Sequence, residues 1–135
     1  IYRVAVAADG SFGKPENLGK EINTEGQDMF PWMSQEGYLF FSSDGHVGLG
    51  GLDVFVMLPN DKGEISKVLN VGKPVNSQKD DFAFTMLNDN KQGYFSSNRD
   101  GGLGEDDIYA YQLTKPFKVD LMVAGIATEK GTGAI

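Results

Sequence analysis

The sequence predicts an all-β protein built from repeated four-stranded antiparallel sheets, and three observations predict it. Asn17-Leu18-Gly19-Lys20-Glu21-Ile22-Asn23-Thr24 returns 53 residues later as Asn70-Val71-Gly72-Lys73-Pro74-Val75-Asn76-Ser77. Short runs rich in Val, Ile, Phe, Tyr, Trp and Met alternate with clusters of Gly, Asn and Asp, the punctuation of strands and turns. No segment sustains a 3.6-residue apolar period, which argues against helix.

Each element follows from the repeat. Ile1-Tyr2 corresponds to Val54-Phe55, Gly10 to Gly63 and Phe12 to Ile65 without a gap. After one inserted residue, Gly37–Asp44 aligns with Gln92–Asn98 through a shared Phe-Ser-Ser, and Asp53-Val54-Phe55 matches Asp107-Ile108-Tyr109. Strands are expected at Asp28–Ser34, Tyr38–Ser43, Asp53–Leu58 and Ile65–Leu69, separated by turns at Gln35-Glu36-Gly37 and Asn60-Asp61-Lys62-Gly63. Leu52–Leu58 is apolar on both parities apart from Asp53, the signature of a strand covered on both faces.

Four short strands per unit fit the blade of a β-propeller, whose small sheets pack on their neighbours around an axis. A ring of ~4–8 blades would need on the order of 210 to 420 residues at this period. The chain has 135 residues, so it reads as a partial propeller of about two blades plus a strand. It is expected to start on the third strand of one blade and to reach the third strand of another near Leu113. The periodic pattern ends there, and a boundary is placed near Thr114–Pro116, giving units 1–114 and 117–135.

Composition narrows the function. Against 12 Lys and Arg stand 19 Asp and Glu, a net charge of −7, and no basic cluster exists of the kind that releases counterions from a polyphosphate. Nucleic acid is therefore not an expected partner. The absence of cysteine excludes a disulfide framework and thiolate chemistry. The longest apolar stretch, Leu121–Ala127, is far shorter than the ~20 residues of a membrane helix, so direct membrane insertion is not expected.

The motifs carry a resemblance. Met29-Phe30-Pro31-Trp32-Met33-Ser34-Gln35-Glu36-Gly37-Tyr38-Leu39-Phe40-Phe41-Ser42-Ser43-Asp44-Gly45, followed by Gly50-Gly51-Leu52-Asp53-Val54-Phe55, resembles the TolB-type (WD40-like) propeller repeat. The long Gly-Leu-Gly-Gly-Leu-Asp loop, and the Asn-x-Gly-Lys-Pro-x-Asn-Ser linker between units, are similar to envelope proteins of the Bacteroidetes. In those proteins the propeller precedes a carboxypeptidase-regulatory-like β-sandwich and an OmpA-like peptidoglycan-binding domain. Val123–Ala127 with Thr132–Ile135 resembles the first strand and turn of that sandwich. The second unit departs from the pattern, with Phe84-Thr85-Met86-Leu87 in place of Pro31-Trp32-Met33-Ser34.

Candidate sites divide into recurrent and singular residues. Ser42-Ser43 and Ser96-Ser97 recur in both units, which favours backbone satisfaction at a strand end over nucleophilic chemistry. His46 is the only histidine, and nothing in the sequence places a serine and an orienting acid beside it, so no catalytic residue is expected. Gly101-Gly102-Leu103-Gly104-Glu105-Asp106-Asp107-Ile108-Tyr109 matches a calcium nonapeptide. The match stands alone, however, and Asp106 falls at Leu52 in the preceding unit, so neither metal nor cofactor is expected. Asp28 and Asp81 recur before the first strand of their units, a position for capping.

In a four-stranded antiparallel unit the long connections Glu21–Gln27, Asp44–Leu52, Pro74–Asp80 and Asn98–Asp106 emerge on one rim. Long loops on a rigid scaffold are where binding concentrates, so Asp28, His46, Asp81, Arg99 and Asp106 are the candidate partner-binding positions. The resemblance implies a non-enzymatic interaction scaffold of the periplasm, associated with the outer membrane, with protein partners that include an outer-membrane β-barrel. It also implies a link to type IX secretion, with peptidoglycan reached only through a domain outside this chain. The alternative is the propeller of an extracytoplasmic hydrolase, either a serine peptidase or a glycan-active enzyme.

Overall fold

The computed structural model describes residues 1–87 and 91–115. Segment 117–135, read above as the start of a sandwich, lies outside the described residues. Among the described residues every regular element is a strand, arranged in three antiparallel sheets.

The first sheet pairs β1 (Tyr2–Arg3) with β2 (Glu16–Asn17), and the isolated bridge Val6↔Phe12 extends it. The middle sheet runs β3 (Asp28–Met33), β4 (Leu39–Ser43), β5 (Asp53–Pro59), β6 (Ile65–Asn70), each strand beside the next. The third has β7 (Asp81–Met86), β8 (Gln92–Ser97) and β9 (Asp107–Gln112). The four strands expected in the middle unit are thus present within a residue or two of their expected ends.

The repeat extends to the hydrogen-bond register. Tyr2↔Asn17 in the first sheet is Phe55↔Asn70 in the middle one, and Val6↔Phe12 is Pro59↔Ile65. Asp28↔Ser43 and Trp32↔Phe40 become Asp81↔Ser97 and Thr85↔Tyr94, each pair flanking an irregularity in the first strand. That irregularity centres on Phe30 at φ 53° and Ala83 at φ 54°. Two non-glycine residues at equivalent positions share a costly left-handed conformation. Unlike side chains, Pro31-Trp32-Met33 and Phe84-Thr85-Met86, therefore follow the same backbone path.

Tight turns on the far rim also repeat. Asn60 N donates to Glu64 O and Gly63 N to Asn60 O, both at 2.8 Å; Ala7 N to Ser11 O and Gly10 N to Ala7 O match them at 2.9 Å. Gly63 (φ 76°) and Gly10 (φ 83°) take the left-handed position that such a turn needs.

The middle sheet is buried on both faces, as its two-parity apolar strand requires. One face carries Phe40, Val54 and Val56 against Phe84, Met86 and Phe95 of the third sheet, with Val75 of the linker completing the cluster. Across it, Phe40 stacks on Phe84 at 4.8 Å between ring centroids, and β7 lies against β3, β4 and β5. The opposite face carries Leu39, Phe41, Phe55 and Met57 with Ile22, joined by Ile1, Leu18, Ile65 and Val68. Alternation along β4 and β5 divides the residues between the two cores.

Candidate functional site

The rim of long connections is built from three recurrent devices. The first is a linker staple. Asn76 is 1% exposed; its Oδ1 accepts from Val54 N at 2.9 Å, while its Nδ2 donates to Val54 O and Asn70 Oδ1, both at 2.8 Å. Asn23 repeats this one unit earlier, accepting from Ile1 N and donating from Nδ2 to Ile1 O and Asn17 Oδ1, both at 2.8 Å. Asn17 and Asn70 also accept from Gly19 N and Gly72 N. The spacing Asn-x-Gly…Asn therefore closes a side-chain clasp between the third strand of one unit and the linker to the next.

The second device anchors the loops with carboxylates. Asp53 Oδ2 accepts from Leu49 N and, at 3.2 Å, from Gly50 N. Asp107 Oδ2 accepts from Leu103 N at 2.8 Å and Gly104 N at 3.1 Å. Glycine is needed where the loop crosses this carboxylate. A Cβ on Gly48 would lie 1.8 Å from Asp53 Oδ2, and one on Gly102 2.0 Å from Asp107 Oδ2. Gly48→Ala is expected to free the Asp53 carboxylate from its loop and cost about 1–3 kcal/mol, the range for a buried polar group left unsatisfied. Urea unfolding followed through Trp32, the one tryptophan, reads this, with Gly102→Ala expected to cost less because Asp107 is half-buried and Asp53 fully buried.

The third device lays a nitrogen-bearing side chain across two neighbouring rings. Arg99 lies over Phe95 at 4.8 Å and Tyr109 at 5.1 Å from guanidinium carbon to centroid. It donates to Pro74 O at 3.1 Å, Val75 O at 2.5 Å and Asp81 Oδ1 at 2.5 Å. His46 fills the same slot one unit earlier. Its ring packs on Phe41 and Phe55 with centroids 5.6 and 5.0 Å apart, and its Nε2 lies 3.2 Å from Ile22 O. Phe41, Phe55, Ile22 and Asp28 are the counterparts of Phe95, Tyr109, Val75 and Asp81.

The two aspartates hold the linker from beneath. Asp28 Oδ2 accepts from Thr24 N at 2.6 Å, and Asp81 Oδ2 from Ser77 N at 2.6 Å. Ser43 Oγ donates to Asp28 Oδ1 at 2.6 Å. In the next unit Ser97 Oγ accepts from Arg99 N and Nε, both at 3.1 Å, and Arg99 takes over the remaining aspartate oxygen. The second serine of each pair, Ser43 and Ser97, thus acts in backbone and carboxylate satisfaction, whereas the buried Ser42 Oγ makes no hydrogen bond.

Burial acts to raise the Asp28 carboxyl, but hydrogen bonds from Ser43 and Thr24 and the nearby His46 outweigh it, leaving the pKa below its ordinary value. A carboxyl lowered on folding stabilises the fold above its unfolded pKa of about 3.9, and that contribution is lost as pH falls through the folded value. The stability difference between wild type and Asp28→Asn is accordingly expected to be full at pH 7 and to shrink below about pH 4. Urea midpoints across that range measure it.

Comparison with family models, with curated proteins and with solved structures finds no match. The rim is therefore described by its own geometry. The structure ion-pairs Asp81 with Arg99, whereas Asp28, with His46 nearby, is held by Ser43 and Thr24. Asp81 is fully buried, so it shapes the rim from below. Asp106 joins neither arrangement; it is exposed in an open cleft of about 670 Å³ lined also by Asp80, Asp100 and Glu105. Its neighbour Asp107 supplies the carboxylate that organises this loop, leaving Asp106 outside the nonapeptide's anchoring role.

Among the described residues no group of three or more His, Cys, Asp or Glu is arranged to hold a metal. Sequence reasoning missed Leu103, fully exposed at the tip of its loop, and its counterpart Leu49, also exposed. Their shared place in the two Gly-rich loops was the signal that could have found them.

Proposed function

We propose that this chain supplies consecutive blades of a TolB-like β-propeller serving as a non-enzymatic interaction scaffold of the cell envelope. The observation that carries the reading is register-faithful repetition: sheets of one pattern, stacked face to face, gather every long connection on one rim. A stack that grows by one sheet per 53-residue unit is the construction of a propeller wall.

The chemistry of the rim supports binding over catalysis. Asp28, Asp81, Asp53 and Asp107 spend carboxylate oxygens on backbone N–H groups, which stiffens loops whose tips carry exposed Val47, Leu49 and Leu103. Apolar tips on rigid loops suit a protein partner. The sequence resemblance supplies the setting: the periplasm, an outer-membrane β-barrel as neighbour, type IX secretion as the machinery and peptidoglycan as the anchor of a domain elsewhere in the parent protein.

The test is site-specific photo-cross-linking in cells. A cross-linker at Leu49 or Leu103 on the long-loop rim is expected to capture an outer-membrane protein, and one at Asp61 or Lys62 on the tight-turn rim is not. Capture from the tight-turn rim alone, or of cytoplasmic proteins alone, would overturn the reading.

A further inference from the structure

The third sheet repeats a surface that is covered in the middle one. Tyr94, Ile108 and Ala110 are the counterparts of Phe40, Val54 and Val56. Phe40 and Val54 are 0% exposed beneath β7, whereas Tyr94 is 48% and Ile108 77% exposed. The occupant that fits such a socket is already seen at the junction of the second and third sheets: an innermost strand presenting two buried apolar side chains, there Phe84 and Met86.

Charge makes the socket selective. In the middle unit the loop ends at Gly51-Leu52, which rest on the next unit. Leu52 N donates to Asp80 Oδ1 at 2.8 Å, Leu52 O accepts from Asp81 N at 2.6 Å, and a Cβ on Gly51 would lie 2.2 Å from Asp80 Oδ1. In the third unit the same two positions are Glu105 and Asp106, both exposed. Another Asp80 arriving there would meet two further carboxylates at close range, and like charges so placed disfavour association. The position accepts a donor side chain without loss of loop geometry. Its counterpart in the first linker is Gln27, whose Nε2 donates to Asp44 Oδ2 at 3.1 Å.

The geometry points to the outer flank of the third sheet as a docking surface for one further unit of this repeat, carrying Arg or Lys where the third unit carries Asp80. The inference rests on the propeller reading and adds a rule for which unit can follow. The apolar socket supplies the contact area, and the Glu105-Asp106 pair chooses the neighbour by sign.

A second copy of residues 60–113 inserted between Leu113 and Thr114 of the full chain continues the repeat in register. The copy is made once unchanged and once with Asp80→Lys, and amide hydrogen exchange is followed at Ile108 and Ala110. Both amides are expected to gain protection, about fivefold more with the lysine copy, the factor that ~1 kcal/mol of ion pairing yields. With Glu105→Gly and Asp106→Leu in the first copy, that preference is expected to vanish or reverse. Equal protection by the two copies on the unaltered flank overturns the charge rule and leaves the propeller reading standing. No protection by either copy overturns both.

Discussion

Replacing Arg99 with methionine is expected to cost about 3–5 kcal/mol, because it leaves the carboxylate of Asp81 buried without its charged partner. Asp81 is 0% exposed, and the Arg99 side chain 23%, so solvent screens the pair little. Three losses coincide in the variant: the 2.5 Å ion pair, the hydrogen bonds to Pro74 O and Val75 O, and the contact with Phe95 and Tyr109. Arg99→Lys keeps the charge but cannot reach three oxygens with a planar fork, and it is expected to fall between wild type and methionine. Arg99→His reproduces the group that nature places in the preceding unit and is expected to retain more stability than methionine.

The double variant Asp81→Asn with Arg99→Met separates charge from packing. Removing both partners is far less costly than removing one, so the double variant is expected to be more stable than Arg99→Met alone. Urea unfolding monitored by Trp32, which packs on Phe40 at 5.7 Å in the core beside this junction, measures all four proteins. A double variant no better than the single one would show that the Asp81 carboxylate does not need its partner.

Much of this architecture was legible in the sequence, and the particular residues show where legibility stopped. The 53-residue offset placed β3 to β6, because strands and turns report themselves through alternation and glycine. It also grouped the long connections on one rim. The equivalence of His46 and Arg99 was hidden. The inserted residue had already shifted the local offset by one, which aligns Arg99 with Gly45; only the rings and carbonyls around each side chain reveal the shared slot. Depth was hidden as well. Asp28 and Asp81 look alike in sequence, yet Asp28 is half-buried and Asp81 fully buried, because the third sheet meets its predecessor with three strands and the middle sheet meets only the two-stranded β1–β2. The bulge at Phe30 and Ala83 gave no sequence signal, since neither residue favours a positive φ.

The same asymmetry sets the second large effect, at the linker staple. Asn76→Ala removes the side-chain acceptor of Val54 N at a site 1% exposed, while Val54 O keeps its bond from Val71 N at 3.1 Å. One buried N–H left unpaired gives an expected loss of about 1–3 kcal/mol. Asn23→Ala removes the equivalent bonds to Ile1 but at a half-buried position, where water can replace them, so about 1 kcal/mol or less is expected. Asn76→Asp keeps the shape and is expected to be at least as damaging as alanine. Its second carboxylate oxygen would face Val54 O and Asn70 Oδ1, two acceptors that now receive Nδ2 at 2.8 Å, and an unpaired charge would be buried with them. Guanidinium denaturation of the three variants, with hydrogen exchange at the Val54 amide, distinguishes these outcomes. Equal losses for Asn23→Ala and Asn76→Ala would mean that the clasp works through the local turn it shares in both units, and that burial between the second and third sheets contributes nothing to its strength.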